Sequence, residues 1–186
     1  MAYLGVGIKQ ERIKRYMKHN HRYEYGRIIL SPLEAEDIEE LRIIRNKERS
    51  FFQTKEEISA DSQKKWYESY LKKDDDIMFK ISHRDAPDDF IGAIAVYDID
   101  WINKTAEVGR TVLDKSKNSE PGLGQDATKG ICLFTFTVLG IDKIVASILK
   151  SNERILKVDT RTGFYITGDY SDDSYAIEMT KTSLNW

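Results

Sequence analysis

Few residues in this chain have types and spacing that invite chemistry. The sharpest group is Glu120-Pro121-Gly122-Leu123-Gly124-Gln125, standing between a β-rich stretch and a long segment with a helical apolar stripe. Two glycines two apart let the backbone turn tightly and present successive N–H groups with no Cβ in the way. With the unpaired donors of a helix start, such a turn makes a site for a phosphate or pyrophosphate. A flexible helix entry would show the same Gly-x-Gly. The remaining reactive residues argue for less. His19, His21 and His83 are scattered and lack cysteine or carboxylate partners at ligand spacing, so no metal site is expected. Cys132 lies in an apolar run and reads as core packing rather than a nucleophile. No motif argues for a Ser-His-Asp arrangement.

Two phosphate-binding schemes fail on context. A Walker loop needs Gly-Lys-Ser/Thr, and the nearest downstream lysine, Lys129, is five residues past Gly124. A dinucleotide fold is matched superficially by Gly122-x-Gly124-x-x-Ala127, but it requires its glycines directly after a strand, early in a βαβ unit. Here residues 114–121 intervene and hairpins precede them.

The elements that must position the turn follow from periodicity. Residues 27–30 are a short apolar run stopped by Ser31-Pro32 and read as a first strand. Glu34, Glu36, Asp37, Glu39 and Glu40 crowd a helix start, where carboxylates suit the positive end of the dipole, and Ile38, Leu41 and Ile44 give that helix its buried stripe. Ser59 caps a second helix in which Gln63, Trp66, Tyr67, Tyr70 and Leu71 share a face. Residues 77–81, 90–100 and 105–114 form an antiparallel meander. A helix over residues 124–139 follows, with Ala127, Ile131, Phe134 and Val138 on one face. Then come a strand at 143–149, a helix at 152–162 ending on Gly163, and two strands near 164–168 and 175–180. This is a mixed α/β (α+β) pattern of about seven strands and four helices, not a regularly alternating one.

Composition bounds the partners. At 186 residues, 40% apolar and 32% charged, the chain suits one ordinary globular domain. A single cysteine excludes an internal disulfide, and neither a ~20-residue apolar span nor a signal-peptide core is present, so a cytoplasmic protein with no membrane partner is expected. A net charge of −2 argues against a nucleic-acid partner. Six cations (Lys9, Arg12, Lys14, Arg15, Lys18 and Arg22), with Arg27 just beyond, against Glu11 and Glu24 mark residues 1–26 as a basic N-terminal extension, with the domain proper over 27–186. Nothing in the composition decides oligomeric state, and a homodimer is left open.

From Arg27 onward, the order of elements and four stretches resemble the GNAT superfamily of acetyl-CoA-dependent N-acetyltransferases. Ala106-Glu107-Val108-Gly109 through Leu113-Asp114 resembles its fourth strand, and Gly122-Leu123-Gly124 the end of its pyrophosphate loop. Ile144 through Leu149 with Ser151-Asn152-Glu153-Arg154 resembles its fifth strand and following helix, which Gly163-Phe164 closes. The resemblance implies a GNAT fold: a mostly antiparallel sheet splayed between those two strands and flanked by four helices. It implies acetyl-CoA as co-substrate, gripped by Gly122, Leu123, Gly124 and Gln125, with the pantetheine arm held by backbone at Val112 and Leu113 and by Asn152. It departs from the family in two places. Ser119, Glu120 and Pro121 replace the usual Gln/Arg and Gly-Lys/Arg, and Asp159 stands where a tyrosine often lies seven residues after the helix asparagine.

The implied chemistry is direct attack of an amine on the thioester, without a covalent intermediate. Deprotonating a lysine-like amine at pH 7 costs about 4.6 kcal/mol, which gives a general base value. Glu107, at a position where relatives carry an acid, is the candidate. Strand alternation would place it on one face with Gly109, Thr111 and Leu113. Asp159 is the candidate acid for the departing thiolate, provided burial raises its pKa. The resemblance places the acceptor amine near the first two helices and the central hairpin, at Arg45, Asn46, Phe51, Trp66 and Tyr97. An arginine there could meet a diphosphate and an aromatic ring a base or sugar. The expected acceptor is a small-molecule primary amine, with a nucleotide-linked amino sugar as one form. The alternatives are an N-terminal peptide or ribosomal protein, a polyamine, or a CoA-binding module with little turnover.

Overall fold

The computed structural model describes residues 18–52, 55–117 and 120–184. Its elements run β1 (Tyr23–Tyr25), β2 (Ile28–Pro32), α1 (Ile38–Lys47), α2 (Ala60–Tyr70), β3 (Ile77–His83), β4 (Gly92–Asp100) and β5 (Thr105–Leu113). They continue with α3 (Leu123–Thr137), β6 (Lys143–Leu149), α4 (Glu153–Thr162), β7 (Tyr165–Ser171) and β8 (Ser174–Thr180). All eight strands form one sheet, ordered β1-β2-β3-β4-β5-β6-β8-β7. Every neighbouring pair is antiparallel except β5 and β6.

The sheet buries both faces. On one, Phe79, Ile94, Val108 and Ile144 pack with Leu123, Ile131 and Phe134 of α3 and, at its margin, Ile155 and Leu156 of α4. On the other, Ala93, Ala95 and Val112 pack with Leu41 and Ile44 of α1 and Tyr67 and Tyr70 of α2. The expected cap at Ser59 is present. The Ser59 side chain accepts from the Ser62 N–H at 3.1 Å, satisfying one of the orphan donors of α2. The buried Tyr70 hydroxyl accepts from the Met78 N–H at 3.0 Å, tying that helix to β3.

The sheet has one strand more than the expected seven, and it begins before Arg27. Tyr23–Tyr25 pairs with β2 through a turn at Gly26, where φ is +54°. Three residues among charges carry too little period-2 signal to read as a strand. What holds them is tertiary contact. Tyr23 lies edge-on to Phe134 at 5.8 Å, and α3 approaches so closely that a Cβ on Gly130 would sit 3.1 Å from Tyr25. His19 Nε2 donates to Met78 O, 2.9 Å away, and burial pushes its imidazole down to about 4. Residue 27 therefore falls inside the first hairpin, and residues 18–26 pack on the sheet. The basic residues before Lys18 lie outside the described residues.

Two irregularities in β5 shape the rest. Opposite β4, Ala95 pairs with Gly109 and Ala93 with Val112, so Arg110 and Thr111 together face Ile94 alone. This is a β-bulge, absorbed by a positive φ of 53° at Arg110. It shifts the alternation by one. Glu107 was expected to share a face with Gly109, Thr111 and Leu113. The bulge instead turns Leu113 toward the α3 side and Val112 toward the α1 and α2 side. The second irregularity is on the β6 side: the parallel pairing consists of Thr105↔Lys143, Ala106↔Ile144 and Glu107↔Val145, and goes no further.

Phe134 joins the early hairpin to the core, edge-on to Phe79 at 5.0 Å and to His21 at 5.2 Å. Phe134→Ala is expected to lower unfolding free energy by about 3–5 kcal/mol in urea titration. A loss under ~1 kcal/mol would mean that residues 19–25 are not part of the cooperative unit.

Candidate active site

The site is built around the point where β5 and β6 part. Beyond Glu107↔Val145, each strand keeps its outer partner, β4 or β8, but loses the inner one. Backbone groups of β5 beyond Glu107 on that edge therefore have no strand to pair with, and such groups seek a partner. Val112 and Leu113, expected to hold a pantetheine arm, lie on this edge.

At the far end of the gap stands the turn into α3. Gly122 sits at φ +94°, a conformation that favours glycine, and its carbonyl accepts the first helical bond, from Asp126 N at 3.0 Å. The N–H groups of Leu123, Gly124 and Gln125 precede that bond and so lack intrahelical partners. Leu123 is buried and anchors the helix start in the core. Gly124 faces Leu113: a Cβ there would touch its side chain at 3.4 Å. The turn and the β5 edge are thus adjacent.

Glu120, an acid beside an anion site, is accounted for by a residue that sequence reading had counted only among the basic N-terminal cations. Arg27, at the start of β2, reaches the turn. Its Nε lies 2.8 Å from Asp126 Oδ2, and its Nη1 lies 3.3 Å from Glu120 Oε2 and 3.1 Å from Pro121 O. A Cβ on Gly122 would meet Arg27 Nη2 at 2.9 Å. His83 Nε2 approaches the other Glu120 oxygen at 3.5 Å. The carboxylate is held toward the β1–β2 hairpin. A separation of 93 residues hid this pairing from any local pattern. Lys115 and Lys117, which could have brought charge to the turn, pair instead with Glu48 and Glu40 beside α1. Ser119 lies outside the described residues.

Glu107 sits at the last rung before the strands part. The Tyr97 hydroxyl donates to Glu107 Oε1, and Gly109 leaves room for it: a Cβ there would stand 3.0 Å from the phenol oxygen. Burial and the neighbouring carboxylate raise the Tyr97 pKa, so the phenol stays protonated as a donor. Arg110 stacks its guanidinium over the Tyr97 ring at 3.8 Å and pairs with the buried Asp76 at 2.7 Å. Tyr97 and Glu107, expected in different roles, are therefore in direct contact.

Asp159 lies on the other face of the sheet. Only 9% of it is exposed, and it adjoins the fully buried Cys132. Its carboxyl has no hydrogen-bond or ion-pair partner among the described residues, and burial raises its pKa to about 7. It shares the inward side of α4 with Ile155, Leu156 and Thr162, so this aspartate is not a surface residue. Asn152 caps α4 through its side-chain oxygen, which accepts from Ile155 N at 3.4 Å; its amide N–H groups are not used in the cap.

The remaining acceptor-site candidates behave differently from one another. Asn46 clamps the backbone of Ile58, donating to its carbonyl at 2.9 Å and accepting from its N–H at 2.8 Å. Trp66 stacks on Tyr70 at 5.7 Å and packs against the core beneath α2. Arg45 lies over the Phe52 ring at 4.7 Å. Phe51 closes a short 3-10 turn, Arg49–Phe51, and its side chain lies outside the described residues. Among the described residues, no cluster of His, Cys, Asp and Glu could hold a metal, and no helix is long and apolar enough to cross a membrane.

Comparisons with known proteins agree with this architecture. A family profile described as an acetyltransferase (GNAT) domain matches residues 27–165. Among solved structures, the chain is similar to a spermidine N-acetyltransferase from Vibrio cholerae in complex with CoA and spermine. The TM-score is 0.75 at 16% identity, over 84% of this chain and 97% of that one. It is also similar to apo FdhC, a nucleotide-linked sugar GNAT, with a TM-score of 0.78 at 17% identity, over 89% of this chain and 93% of that one. At these identities the likeness is one of fold. No curated protein matches the chain.

The Asp159 carboxyl gives a stability test. Its folded pKa, near 7, exceeds the ordinary value of about 3.9, so between those values the folded state holds a proton that the unfolded state has lost. Stability should fall as pH rises through that window, by about 4 kcal/mol in all, and level off above it. Asp159→Asn should remove that slope, so that the variant gains on the parent between pH 5 and 8 in urea titrations. Parallel pH curves would show that the carboxyl is solvated in the folded state.

Proposed function

The chain belongs to the GNAT acetyltransferase family, and we propose that it moves the acetyl group of acetyl-CoA directly onto a primary amine of a small molecule. One observation carries this reading: the parallel strand pair opens at Glu107, with a hydrogen-bonded carboxylate at the fork and a glycine turn with unpaired N–H groups at the far end. Each part has a task. The N–H groups of Leu123, Gly124 and Gln125, at the positive end of α3, take the pyrophosphate. Unpaired backbone N–H groups near Val112 and Leu113 hold the pantetheine arm and stabilise the oxyanion as the acetyl carbonyl is attacked. Asn152 bonds the arm from the β6 side.

Glu107 accepts the proton that the amine releases as its nitrogen bonds to the acetyl carbon. Tyr97 donates to one oxygen of that carboxylate and fixes its orientation, leaving the other for the amine or a bridging water. When the carbon–sulfur bond breaks, the sulfur keeps the electron pair. Asp159, half-protonated near pH 7, can return a proton to it where the family commonly uses a tyrosine. The products are an N-acetyl amine and free CoA, with no covalent intermediate on the protein.

The test is acetyl transfer from acetyl-CoA to a panel of amines, in the parent and in Glu107→Gln. We expect transfer to at least one small amine. In Glu107→Gln, kcat should fall at least about 100-fold with little change in CoA affinity. Tight CoA binding with no transfer to any amine would mark a binding module instead. An unchanged kcat in the variant would remove Glu107 from the chemistry.

A further inference from the structure

Among the described residues, Arg45 is the one basic residue of α1 with no carboxylate partner. Arg42 pairs with Glu39 at 2.6 Å and Lys47 reaches Asp114 at 3.7 Å. Arg45 has no carboxylate partner among the described residues, although it is only partly exposed and its guanidinium lies over Phe52. A cation drawn out of water without a counter-charge is unfavourable, and proteins rarely keep one that has no task. The charge that acts on it from the sheet is another cation, Arg110; burial and that neighbour together lower its pKa.

The acids on this side are already engaged. Asp76 balances Arg110, Glu107 accepts from Tyr97, and Glu48 pairs with Lys115. Helix α1 packs across β4 and β5, so Arg45 looks onto the same face of the sheet as Glu107 and Tyr97. An arginine fork suits the paired oxygens of a phosphate or carboxylate and can bind them bidentately. The uncompensated guanidinium of Arg45 repels a ligand that is positive along its whole length.

We propose that Arg45, with Arg110 behind it, forms an oxyanion subsite in the acceptor pocket, so that the amine acetylated by this protein carries a phosphoryl or carboxylate group. The proposal rests on the acetyl-transfer reading and narrows it. Phosphoryl-bearing amines and amino acids meet this requirement; free amino sugars and polyamines do not.

The experiment has a kinetic and a binding arm. In the first, kcat/KM is measured for a UDP-linked amino sugar, glucosamine 6-phosphate, ornithine, free glucosamine and spermidine. At least one oxyanion-bearing acceptor should exceed both glucosamine and spermidine by 100-fold or more. Arg45→Ala should raise its KM at least tenfold, with KM for acetyl-CoA unchanged and the melting temperature near that of the parent. Arg45→Lys should fall between, since it keeps the charge and loses the fork. Preference for spermidine or glucosamine, or an unchanged KM in Arg45→Ala, would overturn the subsite while leaving acetyl transfer intact. If no amine is acetylated, the acetyl-transfer reading fails and the binding arm decides. There the CoA-saturated protein is titrated calorimetrically with UDP, inorganic phosphate and acetate. Binding of one of them, weakened at least tenfold by Arg45→Ala, supports the subsite; equal or absent binding in parent and variant overturns it.

Discussion

A parallel strand pair that stops after three rungs leaves backbone donors and acceptors on two strands with nothing to bond. In a closed sheet that would be a defect, because a buried unpaired peptide group costs on the order of 1–3 kcal/mol. Here the break between β5 and β6 is held open by structure on every side. Strand β6 is locked along its whole length to β8, and β5 is locked to β4 through a bulge that changes its facing residues midway. Each strand keeps its outer partner beyond Glu107↔Val145 while the inner pairing stops. The gap is fixed by the sheet, and the site takes its position from it.

The functional groups on the two faces follow from this opening. On the α1 and α2 side, Glu107 occupies the final rung, oriented by Tyr97, and Tyr97 is in turn stacked by Arg110, whose charge Asp76 balances. On the α3 and α4 side, Asp159 is shut away from water with its pKa raised into the neutral range. Two carboxyls thus lie on opposite faces of the sheet in different environments. Glu107 accepts a hydrogen bond from a phenol, and burial raises the Asp159 pKa into the neutral range. Separation of this kind is how a single fold supports both proton acceptance and proton donation at one pH.

Much of this was legible in the sequence wherever the signal was local. The four helices, the central meander, the Ser59 cap and the Gly122–Gly124 turn follow from period, capping and turn chemistry within a few residues of each other. The parts that were not legible depend on distant contact. Strand β1 is three residues long and owes its existence to α3 packing over Tyr23 and Tyr25. Arg27 and Glu120 find each other across the fold, which explains why an acidic turn can sit where a basic one is usual. The bulge at Arg110 carries no glycine or proline to mark it, and missing it put Leu113 on the wrong face. Whether burial would raise the Asp159 pKa could not be read locally, because it depends on α4 packing this residue into the core beside Cys132.

The central claim is that the opening between β5 and β6 is the binding cleft for CoA. Amide hydrogen exchange, resolved by residue with and without saturating CoA, tests it most directly. The account predicts that CoA slows exchange at least tenfold at amides within residues 108–113 on the open edge and at Leu123, Gly124 and Gln125. Amides on the paired β6–β8 side should change little. If CoA binds and protection falls elsewhere, with those amides exchanging as before, the cleft is not where CoA lies.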